Sequence, residues 1–229
     1  MSVKENLIDL LESIDKEIDF AGRKKDEVKL LAVTKTVDIN RIKEIKKFGL
    51  HEIGENKVQE IEEKYDALKD DFEFHMIGSL QKNKINKLLG KIKLIHSLDS
   101  LNLIEALDKR LASNNMELDG LLQVNISKEE SKSGFYKDEV EEVLEKMQKY
   151  KNLHILGFMT MAPFTEDEAV VRNTFRGLYE LKEKMASKKF DNVNLKYLSM
   201  GMTHDYKIAI QEGSNILRIG SKIFGERNY

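Results

Sequence analysis

The stretch LLAVTKTV, residues 30–37, joins a run of apolar residues to a lysine. Residues 30–33 form a continuous apolar run, which is typical of a strand that lies between two layers of a domain. Lys35 follows this run almost directly. An ammonium group at the end of a buried strand is costly to desolvate unless another group pairs with it or reacts with it. Lys35 is therefore the first candidate functional residue.

The rest of the chain repeats the same unit, a short apolar segment followed by apolar residues at helical spacing. The segments are VKLLAV (28–33), HEIG (51–54), EFHMIG (73–78), IKLIHS (92–97), LDGLLQVNI (118–126), LHILGFM (153–159), LKYLSM (195–200) and NILRIG (215–220). Eight strands, nearly all followed by a helix, predict an α/β fold of the (β/α)8 type, a TIM barrel. A doubly wound open sheet is the alternative. Its glycine-rich turn after the first strand is absent, because AVTKTV (32–37) contains no glycine.

The composition narrows the class of protein. The chain has 229 residues, of which 41% are hydrophobic and 34% charged, with a net charge of -2 and no cysteine. Disulfides, thiolate metal sites and cysteine nucleophiles are therefore excluded. The opening MSVKENLIDL is too charged for a secretory signal, and no apolar run is long enough to span a membrane. We expect a cytoplasmic protein with one domain over residues 1–229, opened by an amphipathic helix at about residues 3–19.

Unusual residues cluster where the predicted strands end, which in a barrel is the end that carries the chemistry. The candidates are Lys35, Asn56, Ser199, Met200, Gly201, Arg218, Gly220 and Ser221. Small residues and hydroxyls after the last two strands are typical of a phosphate-binding corner, because backbone N–H groups can approach phosphate oxygens there. A lysine across the barrel, such a corner and an interior arginine suggest a ligand with an aldehyde and a phosphate. Pyridoxal 5'-phosphate has both.

Several longer motifs resemble those of the pyridoxal phosphate homeostasis protein family over essentially the whole chain. They are LLAVTKT, IGENKVQE, FHMIGSLQKNK, IHSLDS, LLQVNISKEESKSGF, GFMTMAPF and LSMGMTHDYKIAIQEGSNILRIGSKIFGER. The resemblance implies a single barrel similar to the N-terminal domain of alanine racemase. It also implies that pyridoxal 5'-phosphate is held as a Schiff base on Lys35.

The resemblance assigns roles to the other candidates. The phosphate is expected on Ser199, Met200 and Gly201, together with Gly220 and Ser221. Arg218 is expected to face the pyridine nitrogen of the cofactor, and Asn56 to lie near its ring. The serine that commonly precedes the lysine in the family is Thr34 here, which keeps the hydroxyl.

The resemblance also bears on catalysis. An arginine beside the pyridine nitrogen disfavours its protonation, which makes the ring a weaker electron sink. Racemases with this arrangement need a second acid or base, a tyrosine from a C-terminal domain that we expect this chain to lack. We therefore expect a non-enzymatic protein that buffers or delivers pyridoxal phosphate, with apo-enzymes as partners. A low-activity, pyridoxal phosphate-dependent amino-acid racemase is the alternative.

Other ligands are less well supported by the sequence. The lysines of residues 82–93 alternate with apolar residues, which is typical of the solvent-facing side of a helix rather than of a nucleic-acid site. The five histidines have no metal-binding spacing. His75, at a strand end, is expected to be a core histidine bonded to backbone. We expect a monomer without nucleic-acid, membrane or metal partners.

Overall fold

The structure, a computed structural model, describes residues 2–129 and 132–225 of the chain. The strands are β1 (Lys29–Val33), β2 (Glu52–Glu55), β3 (Glu73–Met76), β4 (Leu94–Leu98), β5 (Leu118–Asn125), β6 (Phe135–Tyr136), β7 (Leu153–Met159), β8 (Val193–Ser199) and β9 (Ile216–Ile219). The helices are α1 (Val3–Phe20), α2 (Ile39–Ile45), α3 (Val58–Leu68), α4 (Ile85–Leu88), α5 (Leu101–Ser113), α6 (Val140–Met147), α7 (Glu168–Ala186), α8 (Tyr206–Gln211) and α9 (Ser221–Phe224).

Eight of these strands form a closed parallel barrel. Their order is β4-β3-β2-β1-β9-β8-β7-β5, and β4 also pairs with β5, which closes the ring. The predicted (β/α)8 barrel is therefore confirmed, and the open-sheet alternative is wrong, because that alternative would leave two unpaired edges. The remaining strand, β6, is a two-residue addition that runs parallel to the end of β5 outside the ring. It was not predicted, since two residues carry no periodicity.

The hydrophobic core has two parts, as in other barrels. The larger part lies between the strands and the surrounding helices. The smaller part fills the barrel interior with Leu31, Leu94, Leu121, Met159 and Ile216. Because each strand has a packed layer on both sides, strands such as β4 and β9 are buried at every position.

The first helix covers the seam between the beginning and the end of the barrel. A capping box of Ser2 and Glu5 begins α1, and its apolar stripe is buried. The helix packs against α2, α8 and α9, and the Asn6 amide donates to the Ile223 carbonyl over 3.0 Å. The amphipathic helix predicted at about residues 3–19 is thus confirmed as Val3–Phe20.

Helix ends follow local side-chain chemistry. The Asp38 carboxylate accepts from the Asn40 N–H and begins α2. The helix predicted after the third strand is only one α-helical turn, because Gly90, at φ +73°, reverses the chain directly afterwards.

Among the helices described, none has the length and apolar character needed to cross a lipid bilayer.

Candidate functional site

A cavity of about 460 Å³ opens among the loops that follow the barrel strands. Five of the eight predicted site residues line it, namely Lys35, Asn56, Arg218, Gly220 and Ser221. Ser221 stands at the start of α9, where its hydroxyl is 2.9 Å from that of Thr203, another lining residue. The loops after β1, β2, β8 and β9 therefore converge on one site.

Lys35 is part of a tight turn directly after β1. The Val37 N–H donates to the Thr34 carbonyl over 3.0 Å, which closes the turn around Lys35 and Thr36. Thr36 has φ +63°, in the left-handed region that a β-branched residue rarely adopts. Lys35 is half-buried and belongs to the cavity wall. The turn thus aims the lysine from the strand end into the cavity.

Arg218 is buried in the barrel interior below the cavity, with only 5% of its surface exposed. Its guanidinium donates to the Ser199 hydroxyl over 2.7 Å and to the Thr160 carbonyl over 2.9 Å. Among the residues described, no carboxylate forms an ion pair with it. Burial lowers the pKa of Arg218 to about 10, so the group is still cationic at neutral pH.

Two buried histidines continue this hydrogen-bonded chain through the barrel. Ser199 Oγ is 2.8 Å from His96 Nδ1, and His96 Nε2 is 3.0 Å from His75 Nδ1. Because Ser199 accepts from Arg218, its own proton can go to His96, and the chain then runs in one direction. Burial lowers the pKa of His75 to about 4 and that of His96 well below 6.5, so both are neutral at pH 7.

The prediction for His75 was therefore half right. It is a core histidine, but it contacts the His96 side chain rather than backbone. Its Nε2 is buried and has no hydrogen-bond partner among the residues described. Sequence reasoning could not find the pair, because the two residues lie on neighbouring strands and only the barrel brings them together.

Three predicted phosphate ligands do not line the cavity. The Ser199 hydroxyl is occupied by Arg218 and His96 inside the barrel. The Met200 side chain is fully buried in the outer core, the larger part that lies between the strands and the helices. The Gly201 carbonyl accepts from the backbone N–H of Arg218. Gly201 has φ +93°, and a Cβ added to it would lie 2.5 Å from the Cβ of Ala209. The structure thus gives these residues a supporting position behind the cavity, and their part in ligand binding stays a prediction.

A close backbone contact shapes the wall around Asn56. Asn56 follows β2, and a Cβ added to Gly78 would lie 2.3 Å from the Asn56 carbonyl oxygen. Only glycine allows this approach. The Ser97 hydroxyl donates to the Gly78 carbonyl over 2.6 Å and holds the contact from the other side. Asn56 is therefore fixed at the backbone before any ligand arrives.

Comparison with known proteins identifies the family. Residues 11–228 match the model of the alanine racemase N-terminal domain. The pyridoxal phosphate homeostasis protein of Aquifex aeolicus is 45% identical over 230 residues, which cover 100% of both chains. The chain belongs to the pyridoxal phosphate homeostasis protein family.

Solved structures agree with this family and with the fold. One is the structure of PipY of Synechococcus elongatus with PLP (pyridoxal phosphate) bound. Its sequence is 28% identical and its TM-score is 0.81, and the match covers 93% of this chain and 100% of PipY. Alanine racemase of Corynebacterium glutamicum matches with a TM-score of 0.65 at 15% identity, over 96% of this chain and 62% of the racemase. The second likeness concerns the fold alone.

The donor set of the cavity fits an anionic ligand. Lys35, Lys132 and Arg218 contribute three cations, and no aspartate or glutamate occurs among the lining residues described. The Thr203 and Ser221 hydroxyls and the backbone at the start of α9 add donors. A phosphate ester is such a ligand, and Lys35 is an amine at the same cavity. The residues present are therefore compatible with pyridoxal phosphate.

Sequence reasoning missed several lining residues. These include Gln123 and Lys132, at and after the end of β5, and Thr203 and His204, after the end of β8. A position at a strand end is the signal that led to the other candidates. Applying the strand-end rule to the whole loops, rather than to their first residues, would have found them. The residues described contain no group of three or more histidine or acidic side chains arranged for a metal ion.

Proposed function

We propose that this protein binds pyridoxal 5'-phosphate through a Schiff base with Lys35 and buffers or delivers it within the cell. The observation that carries the proposal is the cavity itself. It combines one half-buried lysine at a strand end, two further cations and no carboxylate among the lining residues described. When bound, the cofactor supplies an aldehyde for the amine and a phosphate for the donors.

Each predicted residue has a role in this proposal. Lys35 provides the amine, and Gly220 and Ser221, with Thr203 beside them, hold the phosphate through N–H and O–H donors. Ser199, Met200 and Gly201 support that corner from behind. Arg218 presents its guanidinium toward the pyridine ring, and Asn56 contacts the ring from the cavity wall.

Arg218 makes catalysis at this site dependent on a second acid or base. A guanidinium that stays cationic at neutral pH opposes protonation of a neighbouring pyridine nitrogen, since two like charges would be crowded together. Relatives at 45% and 41% identity are named as pyridoxal phosphate homeostasis proteins. We therefore propose a non-enzymatic role, with pyridoxal phosphate and apo-enzymes as partners, and a monomer that needs neither nucleic acid nor membrane.

Absorbance tests the binding half of the proposal. Purified protein supplied with pyridoxal phosphate should develop the visible band of a Schiff base, and borohydride should fix the label to the peptide that contains Lys35. Lys35→Ala should abolish both results, whereas Lys132→Ala, a second lysine of the cavity, should keep the band. A protein that stays colourless and unlabelled would overturn the proposal.

A transfer assay tests the delivery half. Loaded protein is mixed with an apo-enzyme in the presence of a trap for free cofactor. Direct delivery predicts that enzyme activity recovers faster than with an equal amount of free cofactor under the same trap. Equal recovery in both reactions would limit the protein to buffering.

Proton exchange tests the racemase alternative, which the match to the alanine racemase N-terminal domain keeps open. Loaded protein is incubated with L-amino acids in heavy water, and loss of the α-proton is followed by NMR. A carrier predicts exchange far below ordinary enzyme turnover. Exchange on the order of 1 per second or faster would instead establish an enzyme.

A further inference from the structure

A buried polar network lies under the turn that carries Lys35. Lys64, on α3, is only 7% exposed. Its ammonium donates to the Thr34 carbonyl over 2.8 Å, to Glu55 Oε1 over 2.8 Å and to Glu60 Oε2 over 2.9 Å. All three ammonium protons thus have an acceptor. A lysine this buried is rare in proteins unless its charge is paired, and here two carboxylates pair it.

The same network fixes the residues on both sides of Lys35. The Thr34 hydroxyl donates to Glu55 Oε1 over 2.7 Å. On the other side, the Thr36 N–H donates to Glu60 Oε2 over 2.6 Å. Lys64 bonds to both carboxylates and to the Thr34 carbonyl, so it connects the two side-chain anchors of the turn.

The turn needs such anchors because its backbone is strained. Thr36 has φ +63°, and a β-branched residue does not keep this conformation unless the surroundings impose it. The Glu60 carboxylate holds the Thr36 N–H, and Lys64 orients that carboxylate from the next turn of α3. Without Lys64, Glu60 would lose the partner that keeps it facing the turn.

We propose that Lys64 is a positioning residue, which holds the strained turn so that the Lys35 amine points into the cavity. This inference rests on the proposed function, in which that amine forms a carbon–nitrogen double bond with an aldehyde and the aldehyde oxygen leaves as water. Lys64 takes no part in the bond. It sets the direction from which the amine approaches.

The test compares Lys64→Met with a matched control. The control is Lys87→Met. Lys87 lies at the surface and donates over 2.8 Å to Glu62, which is on α3, so the control also removes an ion pair of that helix. Both variants and the wild type are assayed below their melting midpoints for the rate of visible-band formation with pyridoxal phosphate. Lys64→Met should react roughly tenfold to a hundredfold more slowly, because a misplaced reacting group loses rate by such factors. The control should react at the wild-type rate.

Two readouts are independent of the cofactor. Reductive methylation with formaldehyde and cyanoborohydride, resolved by peptide mass spectrometry, should label Lys35 at a different rate in Lys64→Met than in the wild type. Amide exchange should be slow at the Thr36 N–H of the wild type and fast in the variant. Exchange in the wild type at the rate of an unstructured peptide would overturn the inference.

The possible failures are distinguishable. If the wild type captures no pyridoxal phosphate, the proposed function fails. If the wild type and a folded Lys64→Met capture it at equal rates, only the positioning role fails, since a merely structural lysine would change stability alone. Should Lys64→Met not fold, a triple variant that also carries Glu55→Gln and Glu60→Gln replaces it, because it removes the two carboxylates that lose their partner. The same loss of rate is expected from this triple variant.

Discussion

Replacement of the buried Glu55 by glutamine should change how stability depends on pH. Glu55 is fully buried at the end of β2, and its Oε2 atom has no hydrogen-bond partner among the residues described. Burial raises its pKa to about 7 from 4.5, against the opposing effect of Lys64 and Thr34. A carboxyl whose pKa is raised in the folded state stabilises the fold below its unfolded pKa. That stability is lost as the pH rises through the folded value.

The magnitude follows from the shift. Each pKa unit is worth about 1.4 kcal/mol, so Glu55 adds about 3 kcal/mol to the free energy of unfolding when the pH falls from 7 to 4.5. His75 acts in the opposite direction. Its pKa is lowered to about 4 from 6.5, so its contribution is present above pH 6.5 and is lost as the pH falls toward 4. This loss is also about 3 kcal/mol. His96, whose pKa is also lowered by burial, adds to the loss of stability on acidification, and Glu55 opposes it.

Urea unfolding at a series of pH values between 4.5 and 7.5 measures the difference. Glu55→Gln removes this opposing contribution, so its free energy of unfolding should fall with acidification more steeply than that of the wild type, by up to about 1.4 kcal/mol per pH unit. A constant offset between the two proteins does not affect the slope. Glu62→Gln, on the surface of α3, serves as the control and should follow the wild type. Parallel profiles for Glu55→Gln and the wild type would refute this explanation.

Three further substitutions test the interior. His96→Leu removes the partner of two buried polar groups and should lower the free energy of unfolding by roughly 2–4 kcal/mol in urea titrations, a loss absent if ordered water replaces the ring. Gly78→Ala places a Cβ 2.3 Å from the Asn56 carbonyl oxygen and should cost roughly 1–3 kcal/mol by the same measurement, whereas a neutral result would mean that the wall moves easily. Phe175→Ala, in the outer core, should cost about 3–5 kcal/mol, and a change below about 1 kcal/mol would show that the core collapses around the gap.

The barrel could be predicted because its information is local and repeated. Each strand is a short apolar run and most are followed by a stripe at helical spacing, so the alternation is visible without knowing any contact. The strand-end rule then placed Lys35, Asn56, Arg218, Gly220 and Ser221 at one end, and the structure brings these five to one cavity.

The interior of the site could not be predicted, because its contacts join distant parts of the chain. Ser199 was expected to face a phosphate from its place beside small residues, yet its hydroxyl meets His96, which is 103 positions away. The anchors of the Lys35 turn come from Glu55, which the sequence places at a strand end, and from Glu60 and Lys64, which the sequence presents as ordinary charged residues. Burial turns such residues into a network, and burial of a single charged side chain leaves no periodic signal.

The pairing of β1 with β9 has a consequence for the order of events during synthesis. Lys29 stands opposite Ile216, almost the whole length of the chain away, and Arg218 lies on that last strand. While a ribosome is still producing the polypeptide, β1 can pair with β2 but must leave its other edge open until β9 emerges. The nascent protein therefore exposes an unsatisfied strand edge throughout translation, and a half-finished copy has neither a closed ring nor its buried guanidinium.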